Sequence, residues 1–253
     1  MDKTAQGEAH HIVSKYDEEL QTLTSHVLRM GGLAESLLSQ AVETVVRRDS
    51  AMAMQVIERD HQIDELETEI EAECTRLLAL RQPMAVDLRA ILTASKLAGD
   101  IERIGDYAKN LAKRSLALTQ SAPVGAVHGI PRLAGMVQDM INEVLDAYAN
   151  RDADKAVAVW RRDAAVDQLY DSLFRELLTY MMEDARTITS CTHLMFMAKN
   201  IERIGDHATN MAEMIHFLIT GTYLDGDRPR GDDSSIYSAA DGIDAAGEGT
   251  GKP

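Results

Sequence analysis

The residues best suited to chemistry in this 253-residue chain are eight acids in four pairs: Asp60 and Asp64, Glu102 and Asp106, Asp163 and Asp167, Glu202 and Asp206. Each pair is spaced i, i+4, which puts both carboxylates on one face of a helix. Like charges so placed cost a helix about 0.2–0.5 kcal/mol, and a merely solvated face would favour a lysine at one of the two positions. One pair alone reads as surface charge balanced by Arg59, Arg103, Arg162 or Arg203. Four pairs in one register read instead as sites for cations. Carboxylate oxygens suit hard or borderline ions such as Mg²⁺, Mn²⁺, Ca²⁺ or iron, and no Cys or His recurs alongside the acids to make a dedicated zinc site. Asn110 and Asn210 continue the same face one i+4 step on and extend the candidate ligand set; His207 is a candidate extra ligand beside the last pair.

The elements that must carry these acids come in duplicate. Ile-Glu-Arg-Ile-Gly-Asp occurs at Ile101 to Asp106 and again at Ile201 to Asp206, and upstream the match continues at an offset of 103, with Arg48-Asp49 answering Arg151-Asp152 and Arg59-Asp60 answering Arg162-Asp163. Such self-similarity marks a tandem repeat. Each copy reads as three helices: Tyr16 to Arg47, Ser50 to Leu80 and Met84 to Leu118, then Pro131 to Asn150, Ala153 to Glu183 and Thr187 to Ile219, with Asp49, Asp152 and Thr187 as caps. The fold expected is therefore all-α, two tandem three-helix bundles with six long helices. Residues 1–15 form a frayed N-terminus, 16–119 the first bundle, 120–130 a linker, 131–224 the second bundle and 225–253 a disordered acidic tail, poor in apolar residues.

With Val56, Ile63, Ala98, Gly105, Val159, Val166, Ala198 and Gly205 at heptad position a, every acid pair falls at e and then b, flanking the apolar seam. Antiparallel geometry then fixes their heights. The midpoints of Asp64 with Glu102 and of Asp60 with Asp106 both fall on Pro83, in the hairpin, and the corresponding midpoints in the second copy fall between Asp184 and Ala185. Each bundle should gather four carboxylates into one patch. Gly105 and Gly205 each cost about 1 kcal/mol of helix propensity, so their recurrence implies a neighbouring backbone packed close.

Charge and composition exclude several classes. The formal net charge of −15 opposes nucleic acid and anionic lipid, and no apolar run is long enough for a membrane span or a signal peptide. A cytoplasmic protein follows. Cys74 and Cys191 have no counterpart in the other copy and read as core residues of a reducing compartment. No Ser-His-Asp order, phosphate-cradling glycine loop or redox cysteine pair is present, so the motifs make no case for an enzyme. Ferritin-like di-iron bundles use Glu-x-x-His, which neither repeat contains; Glu8 to His11 lies outside both. A carboxylate metalloprotein for metal storage or di-iron chemistry is the alternative reading.

The doubled hexapeptide, the segment Arg81-Gln82-Pro83-Met84-Ala85-Val86-Asp87-Leu88-Arg89, and Met182-Glu183-Asp184 leading into Thr187-Ile188-Thr189 closely resemble the PhoU family, over roughly Tyr16 to Leu224. The resemblance implies paired three-helix bundles whose acidic motifs bind multinuclear metal clusters, of iron, zinc or another divalent ion such as manganese or magnesium. Carried across, the ligands are Asp60, Asp64, Glu102, Asp106, Asp163, Asp167, Glu202 and Asp206. It further implies a homodimeric negative regulator, peripheral to the inner membrane through protein partners. Those partners are the ATPase subunit of the phosphate ABC transporter and a phosphate sensor histidine kinase.

Overall fold

A computed structural model describes residues 3–121 and 123–224; the tail read from 225 to 253 lies outside them. Among the described residues the regular structure is entirely helical. The first bundle contains α1 (Lys3–Arg47), α2 (Ser50–Arg59), α3 (His61–Arg81) and α4 (Val86–Thr119). The second contains α5 (Gly129–Asn150), α6 (Ala153–Arg161), α7 (Asp163–Glu183) and α8 (Ile188–Thr220). The helix begins at Lys3 rather than Tyr16, because apart from Gly7 nothing between Thr4 and Lys15 opposes helix formation. The linker also carries structure: Gly125–His128 forms a 3-10 turn before α5.

Each bundle is a three-helix unit whose middle helix is interrupted once. The sequence reading made these middle helices continuous; their hydrogen bonding is interrupted for one residue, at Asp60 and at Arg162, one step apart in the repeat alignment, while the backbone there stays right-handed. The reason for the recurrent Arg-Asp pairs upstream is now clear. Arg48 and Arg151 adopt left-handed backbones, at φ 55° and 52°, that end the first helix of each copy. Asp49 and Asp152 then cap the next, accepting hydrogen bonds of 2.9 Å from the backbone nitrogens of Met52 and Lys155. Thr187 does not cap α8 as expected: its hydroxyl donates backward to the Tyr180 and Asp184 carbonyls. α8 has no side-chain cap; Asp184 caps the 3-10 turn Ala185–Thr187 that precedes it, accepting from the Arg186 nitrogen at 2.9 Å.

The apolar faces of the third helices, which include the seam positions Ala98 and Ala198, are buried. Ile91, Ala94, Ala98, Ile101 and Ala108 of α4, and Cys191, Leu194, Ala198, Ile201 and Ala208 of α8, all lie in the core. Both cysteines are free and buried. No described helix is long and apolar enough to cross a membrane.

The bundles pack side by side, with α4 against α8 and α1 against α5. Contacts between α4 and α8 come in near-symmetric pairs. The Lys96 ammonium reaches the Met214 sulfur at 3.8 Å, while a hundred residues on Arg114 stacks over the Phe196 ring at 4.3 Å. Position 96 thus faces 214 as 114 faces 196, the arrangement of two antiparallel helices about a local two-fold axis.

Gly105 and Gly205 admit side chains rather than a neighbouring backbone. A Cβ at Gly105 would lie 2.7 Å from Cδ1 of the fully buried Ile63 and 3.3 Å from the Asp60 carboxylate. At Gly205 the nearest atoms, from Val166 and Val137, are 3.4 and 3.5 Å away, an ordinary contact. The two glycines should therefore respond oppositely to one methyl group. Gly205→Ala should stabilise by roughly 0.5–1 kcal/mol through helix propensity, and Gly105→Ala should destabilise by about 1 kcal/mol through overpacking. Urea unfolding of both variants checks this; equal shifts would contradict it.

Candidate metal site

The helix break places Asp60 at the start of α3 with its side chain only 3% exposed. Burial pushes its pKa up, and the Lys109 ammonium pulls it partly back. Lys109, on α4, is in contact with the Asp60 carboxylate and lies 3.3 Å from Asp106 Oδ1, so one ammonium joins the second and third helices. Arg103 lies 3.2 Å from Glu102 and 3.5 Å from Asp106. Glu102 is pushed up to about 7, first by burial and then by Asp106, Glu67 and Asp64, with Arg103 opposing. Asp64 and Asp106 thus act on both Asp60 and Glu102, raising the pKa of each. Asp64 is the exposed member. Glu67 belongs to the patch too, its own pKa raised by burial and by neighbouring acids; the sequence comparison passed over it because its counterpart in the second copy is Tyr170.

In the second bundle Asp163, Asp167 and Glu202 are all buried and Asp206 is half-buried. Thr209, which replaces Lys109, donates its hydroxyl to the Gly205 carbonyl at 2.9 Å and lies 3.3 Å from Asp163 Oδ1. The nearby ammonium comes instead from Lys199, the counterpart of Gly99, and lies 2.8 Å from both oxygens of Glu202. Only Oε1 receives a hydrogen bond with good geometry; buried Oε2 has the ion-pair attraction without one. Burial raises the Glu202 pKa, with Lys199 pulling it back and Asp206 and Asp167 adding to the rise. The face of Tyr170 lies 5.2 Å from the Lys199 ammonium.

The arginines proposed as counter-charges behave unequally. Arg103 does contact its acid pair, whereas Arg59 donates to Gln40, Arg162 pairs with Glu143 and Arg203 lies over Tyr107. His207 and Asn210 point away from the acids: both contact Asp100 of α4 across the bundle interface, at 2.8 and 3.5 Å. They tie the bundles together and do not extend the ligand set.

The donor chemistry fits a hard cation. All donors are carboxylate oxygens, and in the first patch Asp60, Asp64, Glu67, Glu102 and Asp106 outnumber Arg103 and Lys109. Asp60, Asp64, Glu102 and Asp106 in one bundle, and Asp163, Asp167, Glu202 and Asp206 in the other, are the residues that would hold metal. Among the described residues no three carboxylate, imidazole or thiolate groups lie together as a coordination shell.

The raised pKa of Glu102 predicts a pH effect in chelator-treated protein. The native state's preference for a protonated Glu102 is present below the ordinary carboxylate range and lost as pH rises through about 7. Glu102→Gln should therefore stabilise the metal-free protein by about 1–3 kcal/mol at pH 8, with the gain shrinking below pH 5. Urea titrations at both pH values measure it, and a pH-independent difference would contradict it.

Comparison with known proteins agrees with the duplicated architecture. The PhoU domain matches twice, at residues 27–115 and 130–215. A Caulobacter vibrioides protein named phosphate-specific transport system accessory protein PhoU homolog is 52% identical over 221 residues, spanning 87% of this chain and 96% of the relative. A Rhizobium meliloti protein of the same name is 49% identical over 230 residues, 90% of this chain and 97% of its own. The crystal structure of PhoU from Pseudomonas aeruginosa superposes with a TM-score of 0.79 at 44% identity, covering 82% of this chain and 100% of that one. A Streptococcus pneumoniae phosphate transport system regulatory protein, PhoU, gives 0.78 at 29% identity, with 83% and 100% covered. Two helical bundles with paired acid patches, matched twice by one domain, place this chain in the PhoU family.

Proposed function

We propose that this protein is a negative regulator of phosphate uptake and of the phosphate-starvation response, acting as a metal-binding adaptor between the phosphate ABC transporter and a sensor histidine kinase. The observation that carries the reading is the pair of PhoU-domain matches, together with relatives named as accessory proteins of phosphate-specific transport systems. An accessory protein acts by contact, and the helical surfaces offer area for docking where a catalytic constellation would offer a nucleophile and a base. In this reading the protein is a homodimer that works at the cytoplasmic face of the inner membrane, meeting the transporter's ATPase subunit and the kinase while phosphate is abundant.

The eight acids serve this role as a cross-link between helices. Metal bound there supplies positive charge that holds the second and third helices of a bundle together; the chain's part is to present carboxylate oxygens from both helices at one height. A metal store is the competing reading, and the lysines Lys109 and Lys199 count against it, since each offers the acids a resident counter-charge that a storage site has no use for.

Deleting the gene should switch on a phosphate-starvation reporter in phosphate-rich medium, and restoring it should silence the reporter; a metal store predicts altered metal tolerance with the reporter unmoved. A reporter that stays silent, also after removal of any second copy of the regulator, would overturn the adaptor reading. Elemental analysis supplies the second check. Glu102→Gln with Asp106→Asn should abolish metal in the first bundle and leave the second loaded, and unchanged total metal would show that these acids are not metal ligands.

A further inference from the structure

Exposed apolar side chains are not spread evenly over the surface; they crowd at the α3–α4 hairpin, where Leu78, Leu80, Met84, Val86, Leu88 and Leu92 all stand open to solvent. Such a concentration marks a surface for contact. Three of these side chains share the face that carries the acids. On α4, Leu88, Leu92, Ser95, Gly99, Glu102 and Asp106 recur at steps of four and three, and on α3 Asp64, Glu67, Glu71 and Leu78 follow the same spacing. Antiparallel pairing sets their heights, since Leu78 with Leu88 and Glu67 with Gly99 are both centred on Pro83. The packing agrees: a Cβ at Gly99 would lie 3.8 Å from Glu67 Oε1. The face therefore runs from apolar at the hairpin to acidic behind it, over about 27 Å from Leu88 to Asp106.

The second bundle fills the same face with its own side chains. Gly99, Ser95, Glu71 and Glu67 are answered there by Lys199, Met195, Phe174 and Tyr170. Met195 and Tyr170 pack against the core, the Tyr170 and Phe174 rings are 6.2 Å apart, and the Lys199 ammonium sits 5.2 Å from the Tyr170 ring and 2.8 Å from Glu202. The first bundle has small or acidic residues at all four places. Asp64, Glu67 and Glu71 have no ion-pair partner among the described residues. Gly99 weakens the helix relative to alanine, and nothing in the chain crowds it closer than ordinary contact, so packing within the chain gives no reason for a glycine.

We propose that the α3–α4 face of the first bundle receives a basic amphipathic helix from a partner protein, its apolar side chains lying on Leu78, Leu88 and Leu92 and a lysine or arginine lying over Gly99 between Glu67 and Glu102. Lys199 shows this arrangement from within, because it sets an ammonium beside Glu202 from the position that Gly99 holds in the other copy. The acids supply charge complementarity to a basic partner and the leucines supply apolar area, the combination by which a groove takes an amphipathic helix. The length of the face suits a helix of about 18 residues. Nucleic acid and anionic lipid are repelled by the same carboxylates. The inference rests on the adaptor reading above and names the chemistry of the segment that the adaptor grips.

The test is fluorescence anisotropy of a labelled helical peptide of about 18 residues, with leucines along one face and lysines beside it, titrated with the full chain. One peptide should bind per chain, and its analogue with glutamate at the lysine positions should not bind. Gly99→Lys, which copies the second bundle, should weaken binding at least about tenfold, and so should Leu88→Asp with Leu92→Asp. Gly99→Ala, which adds no charge, should keep binding and serves as the folded control. Ile188→Asp, the same change at the counterpart of Leu88, should leave binding unchanged. No binding, or binding that Ile188→Asp weakens as much as the first-bundle changes do, would reduce the contact to general charge attraction and overturn the proposal. A Leu88→Asp protein that sediments as a smaller species than the parent would overturn it too, because the face would then join two copies of this chain. The deletion reporter judges the adaptor reading separately: a peptide that fails to bind while deletion still switches the reporter on removes this surface and leaves the adaptor standing, and a silent reporter removes the adaptor whatever the peptide does.

Discussion

The carboxylates of Asp60, Asp163, Asp167 and Glu202 lie beside the core with almost no access to water, where an uncompensated charge costs roughly several kcal/mol. Much of the local architecture answers that cost. The helical hydrogen bonding of each middle helix is interrupted where the first acid of the pair begins, Lys109 and Lys199 reach into the patches, and Thr209 brings its hydroxyl within 3.3 Å of Asp163. Proton uptake is the remaining route, and it is visible at Glu102, pushed up to about 7. Lysine and proton answer one electrostatic demand, and under the proposed metal binding a cation would compete with both.

The same demand explains why the acids flank the seam instead of entering it. Seam positions are filled by residues such as Ile63, Ala98, Val166 and Ala198, which pack tightly and tolerate no charge. One step aside, the carboxylates remain attached to rigid helix backbone yet close enough to the surface for an ion to arrive. Gly105 sharpens this arrangement, because its missing side chain leaves room for Ile63 and for the Asp60 carboxylate together.

Much of this was legible before any coordinates. Two copies in one chain act as a comparison: Asp49 and Asp152, which agree, are both helix caps. The midpoint arithmetic placed Asp60 level with Asp106, and Lys109 touches both. The same method hid what the copies do not share. Lys109 faces Thr209 across the repeat, Lys199 faces Gly99, and Glu67 faces Tyr170, so residues that set the charge balance looked dispensable. The helix breaks escaped notice because neither Pro nor Gly marks them; the left-handed Arg48 and Arg151 were equally silent, as arginine seldom takes that backbone. His207 and Asn210 were misjudged because spacing along one helix says nothing about a partner such as Asp100 on another bundle.

The packing of α4 against α8 about a local two-fold axis resembles the isologous contact of a homodimer, folded into a single polypeptide. Between separate identical subunits, every residue at such a contact must suit its own image, and each replacement is felt twice. Joining the halves covalently removes that restriction, and the short connection keeps their effective concentration high enough that the interface survives weaker individual contacts. Hence Lys96 can meet Met214 while its pseudo-symmetric counterpart is Arg114 on Phe196. The two halves are free to diverge residue by residue, as Lys109 with Thr209 and Gly99 with Lys199 already do, which a symmetric pair of identical chains could not encode.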